Sequence, residues 1–462
     1  MAQAEPVSTS DSIRMLPTRR FPDALTLLLS CLALATILTY VLPAGEYDRR
    51  QDPATGRTVV VPGTYHVVAS QPVDPFAALS AIPRGISQAA SVIALVFLVG
   101  AGLTVVDRTG ALREGIDWLV AHLHGREALA LPMVAIVFAA GGVVEGMSEE
   151  IIALVPALLL LTTRLGYPPI TAVAISTGAA FVGGAYSPMN PFQVGIAQKL
   201  AGVPLISGWG YRLAFLIPAL AVWIGVTLWH ARRERVEPAL LATMGPPRIA
   251  LRSAAALALI VIIYSVYVFG VLKLGWEFDQ MSALFLILGI GAGLLGGLGL
   301  TGTAAALADG FRSMAYAGML IGFARGIFVV LNDGRVIDTL VHGLLLPVER
   351  LPNVLAAAGM VVAQALIHVP VPSTSGQAVL TMPVLVPLSD LLGISRQVTV
   401  LAYQLGGGLC ELITPTNGAL MAVLAASGVS YDKWIKFCAP IYLALMFLAF
   451  LAVGLGAAIG LR

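Results

Sequence analysis

Charge is what this chain has least of. Asp, Glu, Lys and Arg make up 11% of 462 residues, against 58% hydrophobic residues and a mean hydropathy of +0.88. Soluble domains carry roughly a quarter charged residues, so this balance excludes a soluble protein and identifies an integral membrane protein. The formal net charge of +2 provides no basic groove for nucleic acid. Cysteine is almost as scarce. Cys31, Cys410 and Cys438 lie far apart in apolar surroundings, which argues against a disulfide framework or a zinc site and leaves them as small buried hydrophobes. Neither Gly-x-Ser-x-Gly nor His-Glu-x-x-His occurs, so the nearness of His368, Ser373 and Ser375 in the chain does not make an intramembrane hydrolase. The apolar run from Pro22 to Leu42 is too long for the core of a cleavable signal peptide and is read as a span.

Five positions occur twice at one internal spacing. Ser148, Pro156, Gly166, Pro188 and Asn190 recur as Ser375, Pro383, Gly393, Pro415 and Asn417, each displaced by 227 (375 minus 148). Pro and Gly alone are tolerated in membrane helices, but this coincidence reads as a duplication. Runs of about 20 apolar residues, enough to cross about 30 Å of hydrocarbon, place spans near 22–42, 88–106, 170–201, 211–230, 253–272, 281–301, 313–331, 396–427 and 433–461. Blocks 128–165 and 353–392 each go in and come back, as re-entrant hairpins or as pairs of tight spans. Their short polar elbows, Gly146–Glu150 and Ser373–Gln377, favour re-entry, because irregular polar backbone at depth must line a cavity.

The expected fold is an all-α polytopic membrane protein of two inverted repeats. Residues 1–21 form a cytoplasmic segment and 22–230 the first repeat; 231–280 hold a basic loop and a linking span, and 281–462 the second repeat. Arg14, Arg19 and Arg20, then Arg232, Arg233, Arg235, Arg248 and Arg252, then Lys433 and Lys436 fall on one side of this path. By the positive-inside rule that side is the cytoplasm. Amphipathic segments Asp107–Glu127 and Asp333–Leu351 precede the hairpins and read as interfacial or ordinary loop helices.

Chemistry is expected at the elbows and at two breaks, Gly183–Phe192 and Ile413–Gly418. Proline removes a donor there and frees carbonyls. With the Ser187, Asn190, Thr414, Thr416 and Asn417 side chains, these make neutral oxygen ligands that suit a hard cation such as Na⁺. Each following half-helix N-terminus suits a carboxylate. Packing kinks are the bland reading of a lone Ser-Pro; two breaks, each paired with an elbow, favour a site. The elbows differ. Glu145, Ser148, Glu149 and Glu150 in the first face Ser375, Gly376 and Gln377 in the second, and carboxylates at membrane depth are functional by default. Proton coupling is therefore expected alongside cation binding. Glu411 and Arg325 are the remaining candidate charge partners, with a structural ion pair as the alternative for each. No resident cofactor or metal is implied, beyond a coupling Na⁺ or H⁺.

Several stretches carry a family resemblance: Gly85–Ile93, Glu145–Glu150, Ser187–Gln198, Ser375–Ala378 and Ile413–Thr416. The chain resembles the anaerobic C4-dicarboxylate carrier (DcuC-like) family, in its YfcC branch, within the ion transporter superfamily. The resemblance covers the chain from about Pro22. It implies secondary active transport by an elevator fold, in which a domain holding hairpins and broken helices slides against a scaffold that often dimerises. A homodimer in the bacterial inner membrane, with a small-molecule substrate and no nucleic acid, is the corresponding expectation. The pattern also implies a shorter turn at Ile367–Ser375 and a neutral residue where Glu411 stands. The substrate is a C4-dicarboxylate by the family name. The acidic first elbow suits a basic or zwitterionic amino acid, exchanged or symported, and a channel is the remaining alternative.

Overall fold

The computed structural model describes residues 23–53, 58–122, 129–144, 146–236, 249–274, 276 and 278–461. Glu145, the 1–21 segment, Arg248 and the end of the 107–127 segment lie outside them. Helices dominate. In chain order they are α1 (Ala24–Val41), α2 (Pro75–Gln88), α3 (Ala90–Arg108), α4 (Ala111–His122), α5 (Ala130–Val144) and α6 (Glu150–Arg164). Next come α7 (Pro169–Val173), α8 (Ala179–Ala185), α9 (Ile196–Ala201), α10 (Trp209–Arg233), α11 (Leu251–Leu274), α12 (Phe278–Leu295) and α13 (Gly299–Asp333). The last are α14 (Ile337–Leu345), α15 (Asn353–His368), α16 (Thr374–Leu391), α17 (Arg396–Cys410), α18 (Gly418–Ser427) and α19 (Tyr431–Ala458). The loop after α1 holds β1 (Gly45–Glu46) and β4 (His66–Val67), paired antiparallel, and β2 (Arg49–Gln51) with β3 (Thr58–Val60) likewise.

The order of elements repeats. Two equal spans of 18 residues, α1 and α12, open the halves, and long spans of 25 and 28 residues, α10 and α19, close them. Between these lie, in each half, a long helical stretch (α2 and α3, divided at Ala89, or the continuous α13), a short helix (α4 or α14), a hairpin (α5–α6 or α15–α16) and a broken span (α7–α9 or α17–α18). Helix α11 is the extra crossing. The duplicated glycines find their reason here: Gly166 and Gly393 end the two hairpins with φ of +79° and +65°, a left-handed turn that glycine adopts without strain.

Loop contacts sort the termini into two rims. Gly45 N–H donates to the Arg335 carbonyl at 3.0 Å, Arg49 pairs with Asp338 at 2.9 Å and Arg396 Nη1 donates to the Ala201 carbonyl at 3.0 Å; these belong to a strand rim. The opposite, basic rim holds the Arg108–Asp309 pair, Ala250 N–H on Glu114 Oε2 at 2.9 Å and Val236 N–H on the Gly166 carbonyl at 3.0 Å. His230, near the end of α10, lies 4.9 Å from Phe437, near the start of α19. Helix α10 therefore runs from the strand rim to the basic rim and α19 runs back. The first hairpin opens at the basic rim and the second at the strand rim, so the halves are inverted.

Hairpin arms α5, α6, α15 and α16 have 15, 15, 16 and 18 residues. At 1.5 Å per residue the first three reach about 22–24 Å, short of about 30 Å of hydrocarbon, as re-entrant arms should be, while α16 matches the 18-residue spans α1 and α12 in length. Six described helices, α1, α3, α10, α12, α13 and α19, are long and apolar enough to cross. The run 313–331 proves to be part of the 35-residue α13. Asp309 and Arg312 interrupt its apolarity but not its helix, because they pair with Arg108 and with each other. Residues 75–88, which carry no span in the apolar pattern, form α2. A Cβ on its Gly85 would lie 2.5 Å from Gly326 N in α13, so this is a backbone-to-backbone helix contact of the kind membranes favour. The three cysteines are free, with Cys410 and Cys438 buried.

Candidate functional site

The candidate site is built from the two elbows and two breaks, each break bonded to its own hairpin and the two broken spans packed on each other. In the first half, α8 ends at Ala185 and a single π-helical turn, Pro191–Gly195, restarts the chain. Another π turn, Ala174–Gly178, precedes α8; such turns concentrate at functional positions and nothing in the apolar pattern announces them. Asn190 is fully buried. Its Oδ1 accepts the Phe192 and Gln193 N–H groups at 2.9 and 3.0 Å, while its Nδ2 donates to the Gly142 carbonyl at the end of α5 at 3.0 Å. Ser187 Oγ donates to the neighbouring Val143 carbonyl at 2.7 Å. Break and elbow are thus one unit, with Gly146 at φ +74° turning beneath Asn190.

The second half repeats this with other side chains. Asn417 Oδ1 accepts Leu420 N–H at 3.1 Å and its Nδ2 donates to Glu411 Oε2. Thr416 Oγ1 donates to the Val369 carbonyl, the counterpart of Gly142. Thr414 Oγ1 meets Cys410 Sγ at 3.3 Å. The freed carbonyls do not stand empty. Ser187 O accepts from Gln404 Nε2 at 2.7 Å, Leu412 O from Trp434 Nε1 at 2.8 Å and Ile413 O from the Tyr431 hydroxyl. Neighbouring helices have re-satisfied much of the broken backbone, as an apolar surrounding demands. The broken spans cross back to back: a Cβ on Gly408 would lie 2.9 Å from Ala185 Cα.

The carboxylates separate by direction. Ser148 Oγ donates to Glu149, and Ser148 N–H donates to Glu150 Oε2 at 3.0 Å. Glu149 lies near enough to Glu411 for their charges to interact, whereas Glu150 is buried toward Tyr264 on α11. Of the two elbow carboxylates, Glu149 is thus the one within range of the second break's charge, and Glu150 lies on the α11 side. Arg325 on α13 donates through Nε to Gln88 Oε1 at 3.0 Å and lies 4.6 Å over the Phe328 ring. It forms no ion pair with a carboxylate among the described residues. Its helix passes the second break, since a Cβ on Gly418 would lie 3.1 Å from Ile321 Cα, one turn before Arg325. On the second hairpin, Ser375 and Gly376 are half-buried, and Gly376 N–H donates to the capping Ser373 Oγ at 3.3 Å. Gln377 is buried against Gln364 and His368.

Two residues of consequence escape motif reading. His368 is fully buried, with Nε2 3.4 Å from Glu411 Oε1. Arg212, also buried, holds Gln404 Oε1 at 2.8 Å, Ser207 O at 2.9 Å and Gln397 Oε1 at 3.1 Å. Through Gln404 it reaches the Ser187 carbonyl of the first break. Charge at depth was the available signal for both. A cavity of about 490 Å³ lies away from the elbows, at the strand rim among Glu46, Arg49, Asn332, Asp333, Arg335 and Asp338. Its walls are the ion pairs that fasten the two halves there.

Inverted halves whose hairpins and broken helices converge on buried polar groups define a polytopic membrane transporter, not an enzyme. Residues 21–457 match the family described as C4-dicarboxylate anaerobic carrier (DcuC), and the chain belongs to that family. It is 31% identical to the Escherichia coli protein named "Putative basic amino acid antiporter YfcC", over 96% of this chain and 97% of that one. An uncharacterized protein of Haemophilus influenzae is 28% identical, over 93% of this chain and 96% of that one. Solved structures with similarity include the Alcanivorax borkumensis YdaH transporter, at TM-score 0.42 and 19% identity over 95% of this chain and 99% of that one. Neisseria gonorrhoeae MtrF follows at TM-score 0.41 and 16% identity, over 96% of each chain.

Proposed function

We propose that this protein is a secondary active carrier of a small amine- and carboxylate-bearing solute, a basic amino acid above all, working by exchange or proton coupling. The feature that carries this reading is a pair of carboxylates from the two halves, Glu149 at the first elbow and Glu411 just before the second break, within range of each other's charge. Two carboxylates there repel a dianion and attract an ammonium. Arg325, without a carboxylate partner among the described residues, supplies the complementary charge for a substrate carboxylate. The name of the Escherichia coli relative agrees with this reading; the family description, a C4-dicarboxylate carrier, is the second reading, and Arg325 is what favours it.

The N-terminus faces the cytoplasm of a bacterial inner membrane in this reading, supported by the arginines of the basic rim, Arg232, Arg233, Arg235 and Arg252. The unit of hairpins and broken spans moves against α1–α3 and α11–α13 in an elevator step, in a homodimer. Saturation of the freed carbonyl groups at the breaks by protein donors favours H⁺ over Na⁺ as the coupling ion. A ligand that binds only the folded state raises apparent stability, so thermal unfolding of purified protein with L-arginine, L-lysine, succinate or fumarate, each with and without Na⁺, tests the assignment. Stabilisation by the amino acids, independent of Na⁺, is expected. Stabilisation by succinate alone would return the dicarboxylate reading, and a requirement for Na⁺ would reject proton coupling.

A further inference from the structure

The hydrogen bonds around His368 fix where its protons are. Gln377 Nε2 donates to the Gln364 carbonyl and to Gln364 Oε1, both at 2.7 Å, which settles the orientation of the Gln377 amide. Its Oε1 is therefore the atom 2.9 Å from His368 Nδ1. An amide oxygen only accepts, so Nδ1 carries a hydrogen. On the far side, Asn417 Oδ1 is held by Leu420 N–H, so Asn417 Nδ2 is the donor to Glu411 Oε2. Glu411 Oε1 then faces His368 Nε2 at 3.4 Å, and Nε2 has no hydrogen-bond partner.

A neutral imidazole protonated at Nδ1 turns a bare lone pair toward a bare carboxylate oxygen. In a buried site that arrangement is repulsive on both sides. One proton removes the conflict, either on Nε2, giving imidazolium and carboxylate, or on Oε1, giving imidazole and carboxylic acid. The separation of 3.4 Å is slightly beyond a closed hydrogen bond, so a small approach of α15 toward the second break completes it.

We infer that His368 and Glu411 form a one-proton site, and that this proton and the ammonium of the substrate compete for Glu411. The inference rests on the amine-bearing substrate proposed above. When the ammonium arrives, the N–H or O–H bond of the pair breaks, the proton passes to water and Glu411 remains as carboxylate beside its new cation. Because one carboxylate serves both, proton and substrate cross in alternation. The other groups around the pair are few. Glu149 of the first elbow lies within range of the charge of Glu411, Cys410 precedes Glu411 at the end of α17, and Tyr442, Cys438 and Tyr431 lie around Cys410 from α19. No Lys or Arg among the described residues pairs with either member.

Two measurements decide this. In protein labelled with ¹⁵N-histidine, with the His368 signal assigned by its loss in His368→Gln, Nδ1 should be protonated throughout. Glu411→Gln should move the titration of Nε2 by about one pH unit or more, and this isosteric variant keeps a donor for Nε2. An unprotonated Nδ1, or a titration unmoved by Glu411→Gln, would overturn the one-proton pair without reference to transport. In weakly buffered solution with a pH dye, L-arginine binding verified by calorimetry should release protons from wild type and not from Glu411→Gln. Binding without release, or equal release from the variant, would overturn the competition. Failure of wild type to bind L-arginine would reject the amine-bearing substrate and the competition with it, while the histidine spectra still judge the pair.

Discussion

Both ends of the Asn190 amide are occupied, and this sets what its loss should do. Asn190→Ala leaves two N–H groups at the restart of the helix without their partner, and the Gly142 carbonyl with the Gly146 N–H alone. A buried group left unsatisfied costs about 1–3 kcal/mol, so the variant should unfold at lower temperature in detergent as well as transport less. An unchanged melting temperature would show that water replaces the amide. Arg212→Lys is the comparable test for the buried guanidinium. A lysine cannot span three separated acceptors, and a loss of about 1–3 kcal/mol in thermal unfolding is expected. Asn190 and Asn417 were legible as paired residues, from their spacing and their prolines. Their capping role was not, because which carbonyl an amide meets depends on how elbow and break approach. Nor does a sequence show that Glu149 stays half-buried while Glu150 is buried toward α11; two adjacent residues at a helix start differ by about 100° in direction.

Helices here meet through glycine. A Cβ on Gly142 of α5 would lie 2.0 Å from the Ala180 carbonyl of α8, whereas nothing lies within 4 Å of one on Gly210 of α10. Gly142→Ala should therefore push the first hairpin off its broken span, costing about 1–3 kcal/mol and most transport. Gly210→Ala should leave melting unchanged or raise it slightly. Equal effects in both would contradict the packing described. At α14, Asp338 accepts Tyr47 N–H at 2.9 Å and pairs with Arg49. Burial is nevertheless the largest influence and holds its carboxyl above the usual range, against the pull of these partners. A raised carboxyl binds its proton more tightly in the folded state, so the contribution to stability is full below the ordinary pKa of about 4 and is lost as pH rises through the higher folded value. Melting temperature followed across mildly acidic pH should show this decline in wild type and not in Asp338→Asn. The elements themselves were largely readable: each of the nine apolar runs holds helix, two of them broken as expected, although 281–301 runs past the end of α12 into the start of α13. The exceptions, α2 and the first third of α13, are helices whose polar residues are paired or whose glycines face another backbone, which hydropathy does not register.

The whole molecule is two copies of one plan inserted in opposite senses, joined by α11 and fastened at the strand rim. Inversion was legible because each half returns the chain to the side it left, so parity alone demanded the extra span. The proposed solute is read from the charges near the convergence, which the fold and not the sequence order places there. The central claim is that Glu149 and Glu411 make this an amine-recognising carrier. Proteoliposomes supplied with labelled L-arginine or labelled succinate, with wild type and Glu149→Gln side by side, test it most directly. Saturable L-arginine flux that falls at least about tenfold in Glu149→Gln, the loss of about 1.4 kcal/mol of recognition, is the predicted result. Succinate flux that survives or rises in Glu149→Gln, without L-arginine flux in wild type, would contradict it.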